Sequence, residues 1–365
     1  MSTVRLVCSR TLTLLVVFAS LASNLSLSQL PSNPRDGQTA TGGDKDETVI
    51  FEDPFKPKSD PALEIITDQN KLYAGAKPFV DFSEEELRKA IPGLRGLKPA
   101  QSQDELLTLL TKVGDKTVTI VDRTPNLTSH EDVIQKAPGL AAKRQRFDYL
   151  ILFHRAQDFV TMQEYRIDVT TGLPIQNHVE SEDAIATASR KPALSDLPIR
   201  ADQLKARATG DPPLSQGFAN MWVYFYPLNR SESTFRYLGR QSMDHHNTFV
   251  IVFAQKPSRV RMAGRLLYRG HYIPLLYQGV AWIDQGDFRI VRLRADLLAP
   301  IAAAQLQRLT ADIHFEDTPV SGTNPLWLPR EVTVTSESQG QTFEERHLYS
   351  GYRLYGTESK MVIGH

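Results

Sequence analysis

The stretch from 248 to 297 constrains the fold more than any other. Thr248-Phe249-Val250-Ile251-Val252-Phe253-Ala254 is a short apolar run rich in β-branched and aromatic side chains. It is too short for a typical helix, which predicts a strand buried on both faces. Residues 278–284 predict a second strand, and Gln285-Gly286-Asp287 a tight connection with Gly286 free to take positive φ. The chain then returns antiparallel. Val291, Leu293, Ala295 and Leu297 fall on one face of the return strand, with Arg292, Arg294 and Asp296 on the other. Phe288 and Ile290 sit in the opposite phase, which predicts a bulge near Ile290 or Val291.

Upstream, two helices are expected before any sheet. Ser83 caps the first, with Glu84, Glu85 and Glu86 in its opening turn and Pro92-Gly93 as its stop. The second opens at Ser102, with Glu105 in the same capping relation. Its Leu106, Leu107, Leu109, Leu110 and Val113 form an apolar stripe that reads as a core face. Gly114 offers one end for it, and Val118, Ile120 and Val121 offer a longer course.

From Leu127 the apolar period changes to two. Residues 127–136 read as a polar strand near a sheet edge. Phe147, Tyr149, Ile151 and Phe153 alternate in the next strand, and Phe159, Thr161, Tyr165, Ile167 and Val169 share one phase of a third. Residues 182–214 interrupt the sheet with short helical patterns set among Pro192, Pro198, Pro212 and Pro213. Strands resume over 221–226 and 235–240. After a helical link at 299–307, Leu309, Ala311, Ile313 and Phe315 alternate with Thr310, Asp312, His314 and Glu316. A last hairpin over 328–336 and 341–355 turns at Gln339-Gly340. Strands and helices do not alternate, which argues against a parallel sheet. A sheet of so many strands must curl, close or split. The expected fold class is α+β: a strongly curved, open antiparallel half-barrel with a covering N-terminal helix and a helical insert.

The N-terminus predicts export. Arg5 and Arg10 precede an apolar run at 11–22, and Ser26-Leu27-Ser28 supplies small residues for cleavage after Ser28, with Ala22 the second choice. The single cysteine, Cys8, leaves with that signal and cannot be a lipid-bearing cysteine, so the mature chain has no disulfide. The expected address is the periplasm or envelope of a bacterium. Residues 29–81, rich in Pro and Gly, read as a flexible lead segment in which Ile65-Ile66 and Phe79-Val80 are placed to dock. The half-barrel domain is expected over 82–356 and a tail over 357–365. Lys plus Arg equals Asp plus Glu at 42 each, and basic residues are scattered, which excludes a nucleic-acid module.

Tyr277-Gln278-Gly279-Val280-Ala281-Trp282-Ile283-Asp284, followed by Phe288-Arg289-Ile290-Val291-Arg292-Leu293, resembles a hairpin of periplasmic lipoprotein carriers and their relatives. These include outer-membrane lipoprotein-sorting proteins, mycobacterial glycolipid-related lipoproteins and sigma-factor regulators of the same fold. Arg236-Tyr237-Leu238-Gly239-Arg240 and Leu326-Trp327-Leu328-Pro329 fit neighbouring strands. Asp122-Arg123-Thr124-Pro125-Asn126 and Glu164-Tyr165-Arg166-Ile167-Asp168 are also similar to a group of uncharacterised secreted bacterial proteins. The resemblance implies an open half-barrel whose concavity binds acyl chains.

No His-Glu-x-x-His, Gly-x-Ser-x-Gly or phosphate-loop motif occurs, and no cofactor or metal is implied. Asp244-His245-His246, with His271 downstream, reads as a polar turn. Of the strand carboxylates Glu164, Asp168, Asp284, Asp296 and Asp312, no pair is singled out for acid–base chemistry. The aromatic residues carry more weight. Trp222, Phe225, Tyr237, Phe249, Phe253, Trp282, Leu293 and Trp327 are the candidate lining of an apolar cavity. The expected function is non-enzymatic binding of a lipid or an acylated protein. A protein–protein module of the envelope and a hydrolase with an unrecognised carboxylate or histidine site are the alternatives.

Overall fold

In the computed structural model, which describes residues 15–17, 67–155, 160–172, 174–175, 224–261, 263–268 and 271–355, the 248–297 stretch lies within a 12-stranded antiparallel sheet. The strands among the described residues are β1 (Leu15–Val17), β2 (Lys98–Pro99), β3 (Leu127–Lys136), β4 (Lys143–Arg155), β5 (Val160–Asp168), β6 (Pro174–Ile175), β7 (Ser233–Met243), β8 (His246–Gln255), β9 (Gly264–Tyr268), β10 (His271–Leu275), β11 (Tyr277–Asp284), β12 (Ile290–Leu297), β13 (Leu306–Thr318), β14 (Leu326–Ser338) and β15 (Gln341–Leu354). The large sheet runs β2-β7-β8-β11-β12-β13-β14-β15-β3-β4-β5-β6. Its two edges, β2 and β6, do not pair, so the sheet is curved and open rather than a barrel. This is the α+β architecture expected from the period-two pattern. A small second sheet has the order β1-β9-β10. Its β1 lies in the apolar run at 11–22.

Among the described residues three α-helices accompany the sheet: α1 (Gln69–Leu72), α2 (Glu84–Ala90) and α3 (Leu106–Arg123). The capping box of α2 forms as its sequence predicts, with Ser83 and Glu86 bonded reciprocally. The matching box at Ser102 does not form. Ser102 bonds Asp104 instead, and Glu105 itself stands at the N-cap of α3. That helix runs past Gly114 to Arg123. A Cβ at Gly114 would lie 2.6 Å from Arg230 Nη2, so the glycine lets another element approach closely.

The two faces of the sheet are covered differently. On the inner face Leu109, Leu110, Val113, Thr117 and Val121 of α3 are buried at helical spacing. On the outer face residues 79–97 lie over β7, β8 and β11, fastened by three side chains. Phe79 N–H donates to Gln278 Oε1 (2.6 Å), Arg236 Nη1 donates to Val80 O (3.0 Å) and Phe82 O (2.6 Å), and Gln241 Nε2 donates to Gly93 O (2.8 Å). Val250, Ile251, Val252 and Phe253 are fully buried as a consequence of both layers. Each such side chain contributes about 1.5–3 kcal/mol.

The bulge appears where the phase change places it. Trp282 faces Arg292 but Ile283 faces Ile290, so Val291 is the extra residue. The turn before it differs from expectation. Positive φ falls on Phe288 (63°), not Gly286, because the Asp284 carboxylate accepts from the N–H groups of Gly286 (2.7 Å) and Asp287 (3.1 Å) and shapes the loop. Gln339 and Gly340 both take positive φ in a two-residue hairpin turn, as predicted.

Three further expectations are corrected. β3 is not near an edge; it lies between β15 and β4, and its polar residues serve a buried ion network. Tyr224, Phe225 and Tyr226 do not extend a strand, since Pro227 opens a 3-10 turn and the preceding rings pack inward. Packing begins well before Asp81: Phe79 and Val80 dock as expected, but Tyr73, within the segment read as flexible, is buried too, its hydroxyl pushed up to about 12 by that burial. The β9–β10 hairpin was not anticipated. The insert at 182–214, the tail at 357–365, most of the signal and lead segments, and Trp222 lie outside the described residues.

Candidate functional site

Seven of the eight predicted lining residues are described, and they divide between the two faces. Phe225 packs on Phe235 and Phe253, and Tyr237 packs on Phe249. Phe253 faces Gly279 across β11, which shares its side with Ala281 and Leu293. These residues therefore belong to the inner face, beneath α3. Trp327 joins them: its ring lies with Thr117 and Ile120 of α3 and with Phe288 and Ile290. Its Nε1–H donates to Ile290 O (2.9 Å).

Trp282 does not line the same space. It is opposite Val250 and Arg292, on the outer side. Gly93 rests on its ring, Arg292 stacks over it, and its Nε1–H donates to Gln241 Oε1 (3.1 Å). Strand alternation decides this: Trp282 and Leu293 are one residue out of phase through the register, so one faces in when the other faces out.

The inner trough is filled. Phe253 and Leu293 are fully buried, and Phe225, Tyr237 and Trp327 nearly so. The seam between α3 and the sheet, lined by Lys116, Thr117, Ile120, Phe288, Ile290 and Trp327, has no room for a water molecule. The open apolar concavity expected from the sequence is not seen among the described residues. Lys112 sits over the Phe288 ring at 4.6 Å, and Phe288 stacks on Phe249 at 6.1 Å, so a cation–π contact and stacked rings hold the helix down.

Beyond β14 the same inner face turns ionic, a feature the residue pattern of β3 hid behind its alternation of Ser129, Glu131, Val133 and Gln135. Arg166 on β5 donates to Glu131 through Nε and through Nη2 (2.7 Å), and both side chains are buried. Tyr349 Oη donates to Glu131 (3.0 Å), and Tyr149 Oη donates to Glu164 (2.5 Å). His347 places Nδ1 at 2.9 Å from Glu131 and Nε2 at 3.4 Å from Glu345. Carboxylates only accept, so an imidazolium donating from both nitrogens satisfies this arrangement. Burial works against its charge, but the hydrogen bonds to Glu131 and Glu345 raise its pKa above the ordinary histidine value. Burial likewise tends to raise Glu131, yet the charge and hydrogen bonds of Arg166 and His347 outweigh it and hold it at about 2.

The candidates for hydrolytic chemistry are engaged elsewhere. Asp312 is clasped by Arg292, Asp296 by Arg294, and Asp284 by His246 (2.7 Å). Asp168 accepts from the N–H groups of Thr170 and Thr171. Asp244 and His245 form the tip of the β7–β8 hairpin with positive φ, the polar turn expected of them. The side chains of His154 and His271 lie outside the described set. Among the described residues no group of three or more potential ligands is placed to hold a metal ion, and no helix is long and apolar enough to cross a membrane.

The fold is thus an open antiparallel half-barrel with a helix packed into its concave side. No family model and no curated protein matches the chain by sequence. Solved structures that align with it include a DUF1329 family protein from Desulfovibrio piger, at 12% identity over 72% of this chain and 98% of that one, with a TM-score of 0.37. A LolA superfamily protein from Nitrosomonas europaea aligns at 12% identity over 68% and 94%, with a TM-score of 0.30. An outer membrane lipoprotein-sorting protein domain from Vibrio parahaemolyticus aligns at 9% identity over 68% and 93%, with a TM-score of 0.33. The last two are of the kind that the Trp282 hairpin resembles.

Proposed function

We propose that this is a non-enzymatic protein of the bacterial envelope that binds an acyl chain, or another apolar group, on the inner face of the sheet after α3 is displaced. One observation carries the reading. Adjacent strands from β8 to β14 present an apolar inner face, with Ile251, Ala281, Leu293, Ile313 and Val332 side by side across the sheet, and α3 covers this face. The seam between cover and sheet runs along Thr117 and Ile120, and Thr117, whose hydroxyl donates to Val113 O, is the one polar side chain among the buried residues of α3. Each CH₂ group transferred to that face from water contributes about 0.8 kcal/mol. A chain of ordinary length then offsets the contacts that α3 gives up. Native mass spectrometry on protein purified from an envelope fraction tests the proposal. A lipid adduct, displaced by a fluorescent fatty acid, supports it; a clean apo mass and no uptake of the fatty acid refute it.

A further inference from the structure

Charge balances over the whole chain, at 42 basic and 42 acidic residues, but it is not evenly spread along it. No Asp or Glu lies between Asp132 and Asp148, where Lys136, Lys143, Arg144 and Arg146 fall. None lies between Asp244 and Asp284 either, where Lys256, Arg259, Arg261, Arg265 and Arg269 fall. The fold brings the connections in these two stretches to the same end of the strands. Gln135 faces Lys143 where the β3–β4 hairpin closes, and Ser233 faces Gln255 where β7 begins and β8 stops. Every neighbouring pair of strands between them is antiparallel, so both connections leave the sheet at one rim.

Each connection holds an aliphatic side chain out in solvent. Leu140 is 74% exposed at the end of a turn that its N–H closes onto Ala137 O (3.2 Å), with Pro138 and Gly139 (φ 73°) at the centre. Leu228 is 59% exposed on the 3-10 turn Pro227–Glu232. Arg261 ties that turn to the β8–β9 connection, donating to Glu232 Oε1 (2.7 Å) and Leu228 O (3.2 Å). The carboxylates at this rim do not use up the basic groups. Glu344 takes Lys136, Asp132 takes Arg146 and Glu232 takes Arg261. α1, fastened to Pro257 O and Val260 O by Gln69, adds one charge of each sign in Asp68 and Lys71. Among the described residues Arg144, Lys256 and Arg259 make no ion pair. We propose that this rim rests on an anionic lipid surface, with Leu140 and Leu228 entering the headgroup layer and Arg144, Lys256 and Arg259 meeting the phosphates. Two tips on well-separated strands, each aliphatic amid basic residues, suit an extended surface rather than the single pocket of a small ligand. The inference does not rest on the inner trough.

The test is cosedimentation of protein purified from an envelope fraction with phosphatidylglycerol vesicles and, separately, with phosphatidylcholine vesicles. Binding to the anionic vesicles alone, weakened by about 0.5 M salt, is expected. Lys256→Gln with Arg259→Gln is expected to weaken it roughly 25-fold, about fivefold for each charge removed near the surface. Leu140→Ser with Leu228→Ser, at two exposed positions, weakens it roughly tenfold. Arg330→Gln with Arg353→Gln removes the same charge at exposed positions toward the opposite ends of β14 and β15, and leaves binding unchanged. Equal binding to both kinds of vesicle, binding to neither, or the same loss in the Arg330 and Arg353 pair as in the Lys256 and Arg259 pair overturns the proposal.

Discussion

Arg166 and Glu131 form a two-pronged ion pair with both side chains almost wholly removed from solvent. It joins β5 to β3 across β4, and Tyr349 and His347 extend it to β15. Breaking such a pair from one side strands a buried charge. Glu131→Ala is expected to cost about 3–5 kcal/mol in urea unfolding. The double variant Glu131→Leu with Arg166→Met should recover much of that loss. A single variant with wild-type stability would show that the pair is solvated in solution.

The same network sets a pH window. The folded pKa of Glu131 is depressed to about 2 from its ordinary 4.5, so its contribution is complete above about 4.5 and disappears as pH falls toward 2. The folded pKa of His347 is raised from 6.5, so its contribution is complete below 6.5 and is lost as pH climbs through the raised value. Thermal melts across pH are expected to show a stability maximum between these limits, with the alkaline limb abolished in His347→Gln. An alkaline limb that persists in that variant would assign it to another group.

Gly279 tests the register of β11. A Cβ there would lie 1.9 Å from the carbonyl oxygen of Arg294 and 2.9 Å from the Phe253 ring. Because the first obstacle is backbone, Gly279→Ala is expected to destabilise by about 3 kcal/mol or more. Gly75, around which a Cβ meets nothing within 4 Å, should accept alanine with little change. Comparable stabilities for the two variants would contradict the strand spacing described.

Trp282 separates the outer layer from the inner one. Trp282→Phe removes the donor to Gln241, whose amide also holds Gly93 and Arg95. A loss of about 1–3 kcal/mol is expected, since Gln241 Oε1 is left buried without that donor. Fatty-acid uptake per folded molecule should be unchanged. Uptake that falls with stability preserved would put Trp282 on the ligand face.

The strands of the 248–297 stretch, its bulge and the Gln339-Gly340 hairpin turn could be read from residues because short-range sterics and period-two burial determine them. What could not be read was the side of the sheet that each layer covers. Trp282 and Phe253 look equivalent in sequence, since β8 and β11 are apolar on both faces. Only the packing of Gly93 on one face and Phe225 on the other distinguishes them. The ion network escaped notice for a related reason. Glu131, Arg166 and His347 are widely separated in the chain, and each alternates with neighbours as a surface residue would. The filling of the trough is equally a property of α3 and the Tyr224–Phe225 pair acting together, and apolar spacing alone does not distinguish a core from a cavity.

Hydrogen exchange of α3, measured with and without a saturating medium-chain fatty acid, tests the central claim most directly. The account predicts that amides from Leu109 to Val121 lose protection when the acid binds, while those of β12 keep theirs. Unchanged protection along α3 in the presence of bound acid, or no binding at all, would contradict it.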